Sequence, residues 1–434
     1  MSNYNYTLKN GSGAALLLFF IGLFSLTQIN IGGKIGISEL VMVICSPFVF
    51  VLNLKVFRRD RALTYFYLIL LWLGGAIFVD LYTHNYFAFM MRGIAVPITV
   101  FANSVCIYAV LRKDLDNLKW FLLGVAISGV ISIFVFQRGV AGDLAAEYGM
   151  EAGIESVVGY KLFWVNQLTA WLTLPIAGWY LKTPKVYSVV ALGFLSAFNL
   201  ATGGRSAFLI AATSLVLIVL GGKTRKALQF FKRHAAVVVI IIGMLGVGAK
   251  VVYQLAATSG WMGYDEADKY ERSVEHGTSA LDLLKESRSE FFIGLYAALD
   301  KPILGHGSVA IDNHGYVMDY MYKNRDLAAY ERVCRLRNMF GANVIPAHSQ
   351  IITFWMWHGI FGLIFWSFVI VMSIKTLAKR LYIYPPWFGY LAVTIPSFIW
   401  NVLFSPFGGR MVESALFVVL LLVSKMSREQ PHEA

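Results

Sequence analysis

The run "NVIPAHSQIITFWMWHGIFGLIFW", Asn343 to Trp366, sets one imidazole, His348, between a polar stretch and a long apolar one. Histidine titrates near neutrality, so at such a boundary it can orient or deprotonate a hydroxyl. Its ordinary structural use there is as an interfacial residue making one hydrogen bond. Arg205 stands in "ATGGRSAF". The glycines leave backbone N–H groups open and Ser206 can cap the helix that follows, so an anion could lie on that N-terminus beside the guanidinium. Simple snorkelling at an interface is the alternative. Arg288, in "KESRSEFFIGL", is flanked by Glu286 and Glu290, which equally fits a surface salt-bridge lattice. Arg92, in "FAFMMRGIAVP", falls a turn or more inside an apolar run, where arginine needs a cavity or a partner. Asp80 is the partner the sequence offers. Arg138, Arg325, Arg332, Arg335, Arg337 and Arg410 extend the set, while His306 and His314, in "GHGSVAIDNHG", read as turn residues capping backbone groups. No His-x-x-x-His pair, compact acidic pair or nucleophile elbow occurs, so neither a metal centre nor a serine hydrolase is expected, and no cofactor.

These residues hang on an unusually apolar chain. Of 434 residues 58% are hydrophobic and only 14% charged, with a mean hydropathy of +0.63; soluble domains carry about 25% charged residues. Apolar runs long enough to cross a bilayer as helices recur. Twelve are read, at 13–31, 35–54, 63–80, 88–111, 120–136, 162–181, 186–202, 206–221, 235–256, 348–372, 386–407 and 411–424. If the spans alternate, the basic connections "KVFRRDR", "LRKDLDNLK", "KTPK", "KTRKALQFFKRH" and "KTLAKR" all fall on one side. The positive-inside rule makes that side the cytoplasm, with both termini. No basic segment precedes the first run, so no cleaved signal peptide is expected. The net charge of +12 is mostly these anchors against anionic lipid. No basic stripe with interleaved aromatics suggests nucleic acid. Three cysteines, Cys45, Cys106 and Cys334, have no metal or disulfide spacing.

The fold expected is therefore an all-α polytopic membrane protein in three parts. Residues 1–256 hold nine spans, 257–347 form one large outer loop, and 348–434 hold three spans and a cytoplasmic tail. Within the loop the apolar spacing predicts a helix over 279–299, capped by Ser279 and ended by "DKPILGHG", and a second helix near 318–340.

Several external arginines, one histidine and a multi-span body suit chemistry on a lipid-linked diphosphate. Guanidinium groups bind phosphate through paired donors and balance the charge of a departing diphosphate. The leaving group needs no acid, so what remains is to orient or deprotonate the attacking hydroxyl.

Three stretches, "TGGRSAFL", "SRSEFFIGLYAALDKPILGHGS" and "PAHSQIITFWMWHGIFGLIFW", in this order around one long loop, resemble the O-antigen ligase/polymerase superfamily of bacterial inner-membrane proteins. The resemblance implies a membrane-embedded, metal-independent inverting glycosyltransferase that takes its glycan from undecaprenyl diphosphate at the periplasmic face. It carries over Arg205 and Arg288 as diphosphate-binding arginines and His348 as the histidine near the acceptor hydroxyl. The site expected from the residues themselves adds Arg92 or Arg138 to the arginines and Glu290 as the reserve base. Ligases of this kind commonly show Asn after that histidine, where this chain has Ser349. One group of polymerases has an arginine, ten residues, then glycine, a spacing that Arg138 and Gly149 reproduce. The implied acceptor is lipid A–core in a ligase, or a second lipid-linked repeat in a polymerase of lipopolysaccharide or exopolysaccharide. The alternative from another class is a flippase or transporter of lipid-linked sugars, which would show two related halves and charges along a central path.

Overall fold

A computed structural model describes residues 11–25, 27–30, 34–60, 62–134, 186–201, 205–220, 255, 258–259, 289–324, 343–346, 348–382, 387–405 and 410–426. Among the described residues its regular structure is helical apart from one small hairpin and an isolated bridge between Ile311 and Val344. In chain order the helices are α1 (Gly11–Leu23), α2 (Ile37–Arg59), α3 (Leu63–Tyr82), α4 (Phe87–Leu111), α5 (Leu118–Phe134), α6 (Val186–Ala201) and α7 (Arg205–Leu220). They continue with α8 (Ser289–Asp300), α9 (Tyr316–Asn324), α10 (Gln350–His358), α11 (Ile360–Tyr382), α12 (Phe388–Phe404) and α13 (Arg410–Met426). The hairpin pairs β1 (Gln28–Asn30) with β2 (Lys34–Gly36), antiparallel, with Ile29 opposite Ile35. The first apolar run is therefore helical only to Leu23, because its polar end "QIN" pairs with "KIG" instead. The predicted spans 162–181 and most of 235–256 lie outside the described residues.

Four described helices, Ile37–Arg59, Leu63–Tyr82, Phe87–Leu111 and Ile360–Lys379, are long and apolar enough to cross a membrane. Their outward faces are apolar too: Phe48 is 71% exposed and Leu52 82%. In water such a surface would aggregate; in hydrocarbon it is the expected exterior. The protein is a helical membrane protein.

Inside lipid, helices associate by close packing rather than by expelling water. Between α1 and α5 small residues do this: a Cβ on Gly22 would stand 2.9 Å from the Val125 nitrogen, and one on Gly124 would stand 2.8 Å from the Leu23 nitrogen. Elsewhere aromatic rings fill the gaps. Trp72 of α3 stacks on Phe365 of α11 with centroids 4.8 Å apart, and Phe398 of α12 meets Phe417 of α13 at 5.3 Å.

The predicted span 348–372 is not one helix. The chain breaks at Gly359 (φ 59, ψ −141) and folds back, so that Phe354 of α10 stacks on Trp366 of α11 at 5.7 Å. An unbroken helix would hold those residues about 18 Å apart along its axis. The end of α10 is covered by the chain around residues 303–308: His306 N–H donates to Met356 O at 2.7 Å and Gly307 N–H to Trp357 O at 3.0 Å. Across the break Ile360 N–H donates to Ile303 O at 2.9 Å. Carbonyls orphaned at a helix end thus find donors in residues 306–307.

Residues 289–324 form a small layer of their own. Ile293, Ala297, Val317 and Tyr320 pack α8 on α9, with Met356 of α10 beneath. The first predicted loop helix is present over Ser289–Asp300, while its start, with Ser279 and Arg288, lies outside the described residues. The second is described only over Tyr316–Asn324. The Tyr316 hydroxyl donates to Asp300 Oδ2 at 2.6 Å, which holds the Asp300 carboxyl below its usual range. Burial first, and that carboxylate second, pushes the Tyr316 phenol up.

His306 does what its turn position suggests: Nε2–H donates to the Ala297 carbonyl at 2.8 Å. Burial lowers its pKa, outweighing that bond. The unfolded chain then binds a proton that the folded segment refuses, so stability is fully present above the ordinary histidine value of about 6.5 and falls as pH drops below it. Thermal unfolding in detergent at pH 7.5 and 5.5, both about one unit from that value, should show a larger acid-induced fall for wild type than for His306→Gln. Equal falls would mean that His306 does not titrate here.

Candidate functional site

Two helix ends that are distant in sequence meet at His348. Glu290 lies in the first turn of α8, and its carboxylate Oε2 contacts His348 Nδ1 directly. The Glu290 side chain is 12% exposed and the His348 ring 41%, so the ring stays reachable while its partner is fenced in. A carboxylate on Nδ1 fixes the tautomer that leaves Nε2 outward, and stabilises the imidazolium once Nε2 takes a proton. Both residues were legible as candidates in the sequence; their contact was not.

His348 does not start the helix as its position after Pro346 suggests. Ser349 is the N-cap: in extended conformation (φ −155, ψ 127), its Oγ accepts from Ile352 N–H at 3.3 Å and donates to Val402 O of α12 at 3.0 Å. One residue on, Gln350 Nε2–H donates to Glu413 Oε1 of α13 at 2.8 Å. The first turn of α10 is thus tied to α12 and α13, and His348 is carried on that tie. Phe291 of α8 meets Phe404 of α12 at 5.9 Å, which brings Glu290 to the same end of the bundle.

The other end of α10 is fixed as firmly. His358 is fully buried, with Trp72 Nε1–H donating to its Nδ1 at 2.9 Å and Ser308 Oγ 3.0 Å from its Nε2. An indole N–H can only donate, so Nδ1 is the acceptor and a neutral ring carries its proton on Nε2, toward Ser308. Ser308 in turn gives its hydroxyl proton to Asp80 Oδ2 and its N–H to Asp80 Oδ1, each at 2.6 Å. Asn85 adds bonds to Asp80 Oδ1 at 2.8 Å and Ser308 O at 2.7 Å. The proton order runs from histidine to serine to carboxylate, opposite to that of an activated serine nucleophile. This network pins the segment around Ser308 to α3, and leaving one of its buried groups unpaired would cost about 1–3 kcal/mol.

Asp80 is accordingly not the partner of Arg92. Its hydrogen bonds go to Ser308 and Asn85 because α3 ends where the segment carrying Ser308 crosses, whereas Arg92 stands on the exposed face of the second turn of α4. Arg205 is the first residue of α7, so Ser206 lies inside the first turn rather than capping it. Arg288 and Arg138 lie outside the described residues. Arg410 opens α13 and pairs with Glu39 of α2 at 3.3 Å; Glu39 Oε2 also takes Gly36 N–H at 3.0 Å.

Beside this end of the bundle a cavity of about 130 Å³ opens between α6, α7, α12 and α13. Asn199, Ala207, Asn401 and Glu413 line it, so it lies one turn below the start of α7 at Arg205. Sequence reading passed over Ser308, Gln350, His358 and Glu413. The usable signal was the same for the last two: an ionisable side chain inside an apolar run is seldom there without a partner.

No protein-family model matches the chain, and no curated protein matches it.

Proposed function

We propose that this protein transfers a glycan from a polyprenyl diphosphate to a sugar hydroxyl at the outer face of a bacterial inner membrane, as the superfamily it resembles does. The observation that supports this best is the contact of Glu290 with His348 Nδ1, which makes an oriented base of a partly exposed imidazole. In the reaction Nε2 takes the proton of the acceptor hydroxyl, and the oxygen attacks the anomeric carbon from the face opposite the diphosphate. The C–O bond to the diphosphate breaks and the lipid diphosphate leaves with the electron pair. Arg205 and Arg288, with Arg92 or Arg138, balance its charge. If the twelve spans read from the sequence alternate with both termini in the cytoplasm, His348 lies on the outer side.

The test is transfer in detergent, with chelator present, from a lipid-linked glycan donor. Lipid A–core and a second portion of lipid-linked repeat are offered separately as acceptors. Product on lipid A–core makes the protein a ligase; a ladder on the donor lipid makes it a polymerase. Arg205→Ala and Arg288→Ala should each lose on the order of 10²-fold in rate, by analogy with a lost oxyanion donor. Full activity of both, in folded protein, would remove the diphosphate reading. No transfer to either acceptor would favour the transport alternative, for which cysteine accessibility should alternate between the two sides.

A further inference from the structure

The pair formed by Gln350 and Glu413 has two oxygens too many. Both side chains are buried, Gln350 at 1% and Glu413 at 6% exposure. Gln350 Nε2–H satisfies Glu413 Oε1 at 2.8 Å. Glu413 Oε2 and Gln350 Oε1 are also buried, and neither accepts a hydrogen bond from any described residue. Both are acceptors when the carboxyl is ionised, so neither can help the other. An ionised carboxylate holding one hydrogen bond inside an apolar bundle is among the costliest arrangements a protein can adopt.

Among the described residues no neighbouring charge relieves it. Arg410, one turn earlier on α13, pairs with Glu39 rather than with Glu413. From α3, Tyr65 comes near as a phenol engaged with Ser104 Oγ at 3.2 Å. On α10 the only ionisable group close by is His348, just before the cap, and it is turned to Glu290.

We propose that Glu413 is a proton-binding site, holding one proton on Oε2 and sharing it with Gln350 Oε1 as a neutral, doubly hydrogen-bonded acid–amide pair. A single proton turns one orphan acceptor into a donor and satisfies the other. Glu413 lines the cavity, which gives the proton a way in and out. The pair also closes the first turn of α10 onto α13, which makes Glu413 a positioning residue for His348. That second half rests on the glycan-transfer reading; the proton itself does not.

The test has two arms on the full-length protein in detergent near neutral pH. The first is the infrared difference between wild type and Glu413→Gln, in H₂O and D₂O. The expected result is a neutral-acid carbonyl band in wild type, shifted in D₂O and lost in the variant. Loss of carboxylate bands instead would show an ionised Glu413, held by a bridging water or ion, and would overturn the proposal. The second arm is glycan transfer. Glu413→Leu should lose about 10-fold or more through misplacement of His348. Glu413→Gln should recover most of it, because an amide reproduces both hydrogen bonds of a neutral acid. Equal rates for Leu and Gln would remove the positioning role. If Glu413→Leu does not fold, recovery by Glu413→Gln is judged against wild type alone, and a 10-fold deficit would count against the pair. Absence of transfer in wild type with the acid band present would sink the function and leave the proton site standing.

Discussion

His348→Ala should lower the rate of glycan transfer by about 10³-fold, within the span of 10²–10⁴ that a positioned general base contributes. The ring is the only group placed to take a proton while held by a buried carboxylate among the described residues, since the Glu290 side chain is 12% exposed and contacts Nδ1. Alanine removes both the proton acceptor and the group that points it. Glu290→Gln should cost less, because the amide oxygen still accepts from Nδ1–H and keeps the tautomer. It loses the negative charge beside the ring, so its rate should fall between those of wild type and His348→Ala. The measurement is initial rate against donor concentration, with folding checked by thermal unfolding. An alanine variant within threefold of wild type would mean that the hydroxyl is activated elsewhere, and the pair would revert to an interfacial ion pair.

Gly359→Ala should be the most damaging single substitution for the fold. Its φ of 59 with ψ of −141 lies where side chains are almost never tolerated. A Cβ there would also press on the Ile303 carbonyl and come within 2.7 Å of the Leu304 carbonyl carbon. Backbone strain of about 1–3 kcal/mol and overpacking of a similar size together come to roughly 2–6 kcal/mol. Neither side can yield cheaply: Ile303 O is bonded to Ile360 N–H at 2.9 Å, and α10 is fixed at Ser349 and at His358. The expected result is a large loss of monodisperse protein in detergent and a lowered unfolding temperature. Gly74→Ala, where a Cβ meets nothing within 4 Å, is the control and should be neutral. If the two variants behave alike, the break between α10 and α11 is not a rigid feature.

The way these features divide between sequence and structure follows from the range of the forces involved. Hydropathy is a local property of the chain matched to its solvent, so apolar runs foretold helices α2, α3 and α4 within a few residues of their ends. Periodicity over Phe291, Phe292, Leu295 and Ala298 likewise marked α8, and turn chemistry marked its end at Asp300. A titratable group at the start of an apolar segment needs a reason to be there, which flagged His348; Glu290 entered as a neighbour of Arg288 and as the reserve base.

Only the tertiary structure joined those two residues, since their contact depends on how α8 docks against the end of α12. The break at Gly359 was equally hidden. A glycine followed by apolar residues reads as a continuing span, and what stops the helix is the supply of donors from His306 and Gly307 to Met356 and Trp357. Asp80 was given to Arg92 by proximity in sequence, yet Ser308, far along the chain, holds it. Gln350 and Glu413 are ordinary letters until α10 and α13 are packed, when burial leaves two oxygens facing no donor. Solvent matching is written residue by residue along a chain; hydrogen bonds between buried side chains exist only where folding brings remote residues to within about 3 Å.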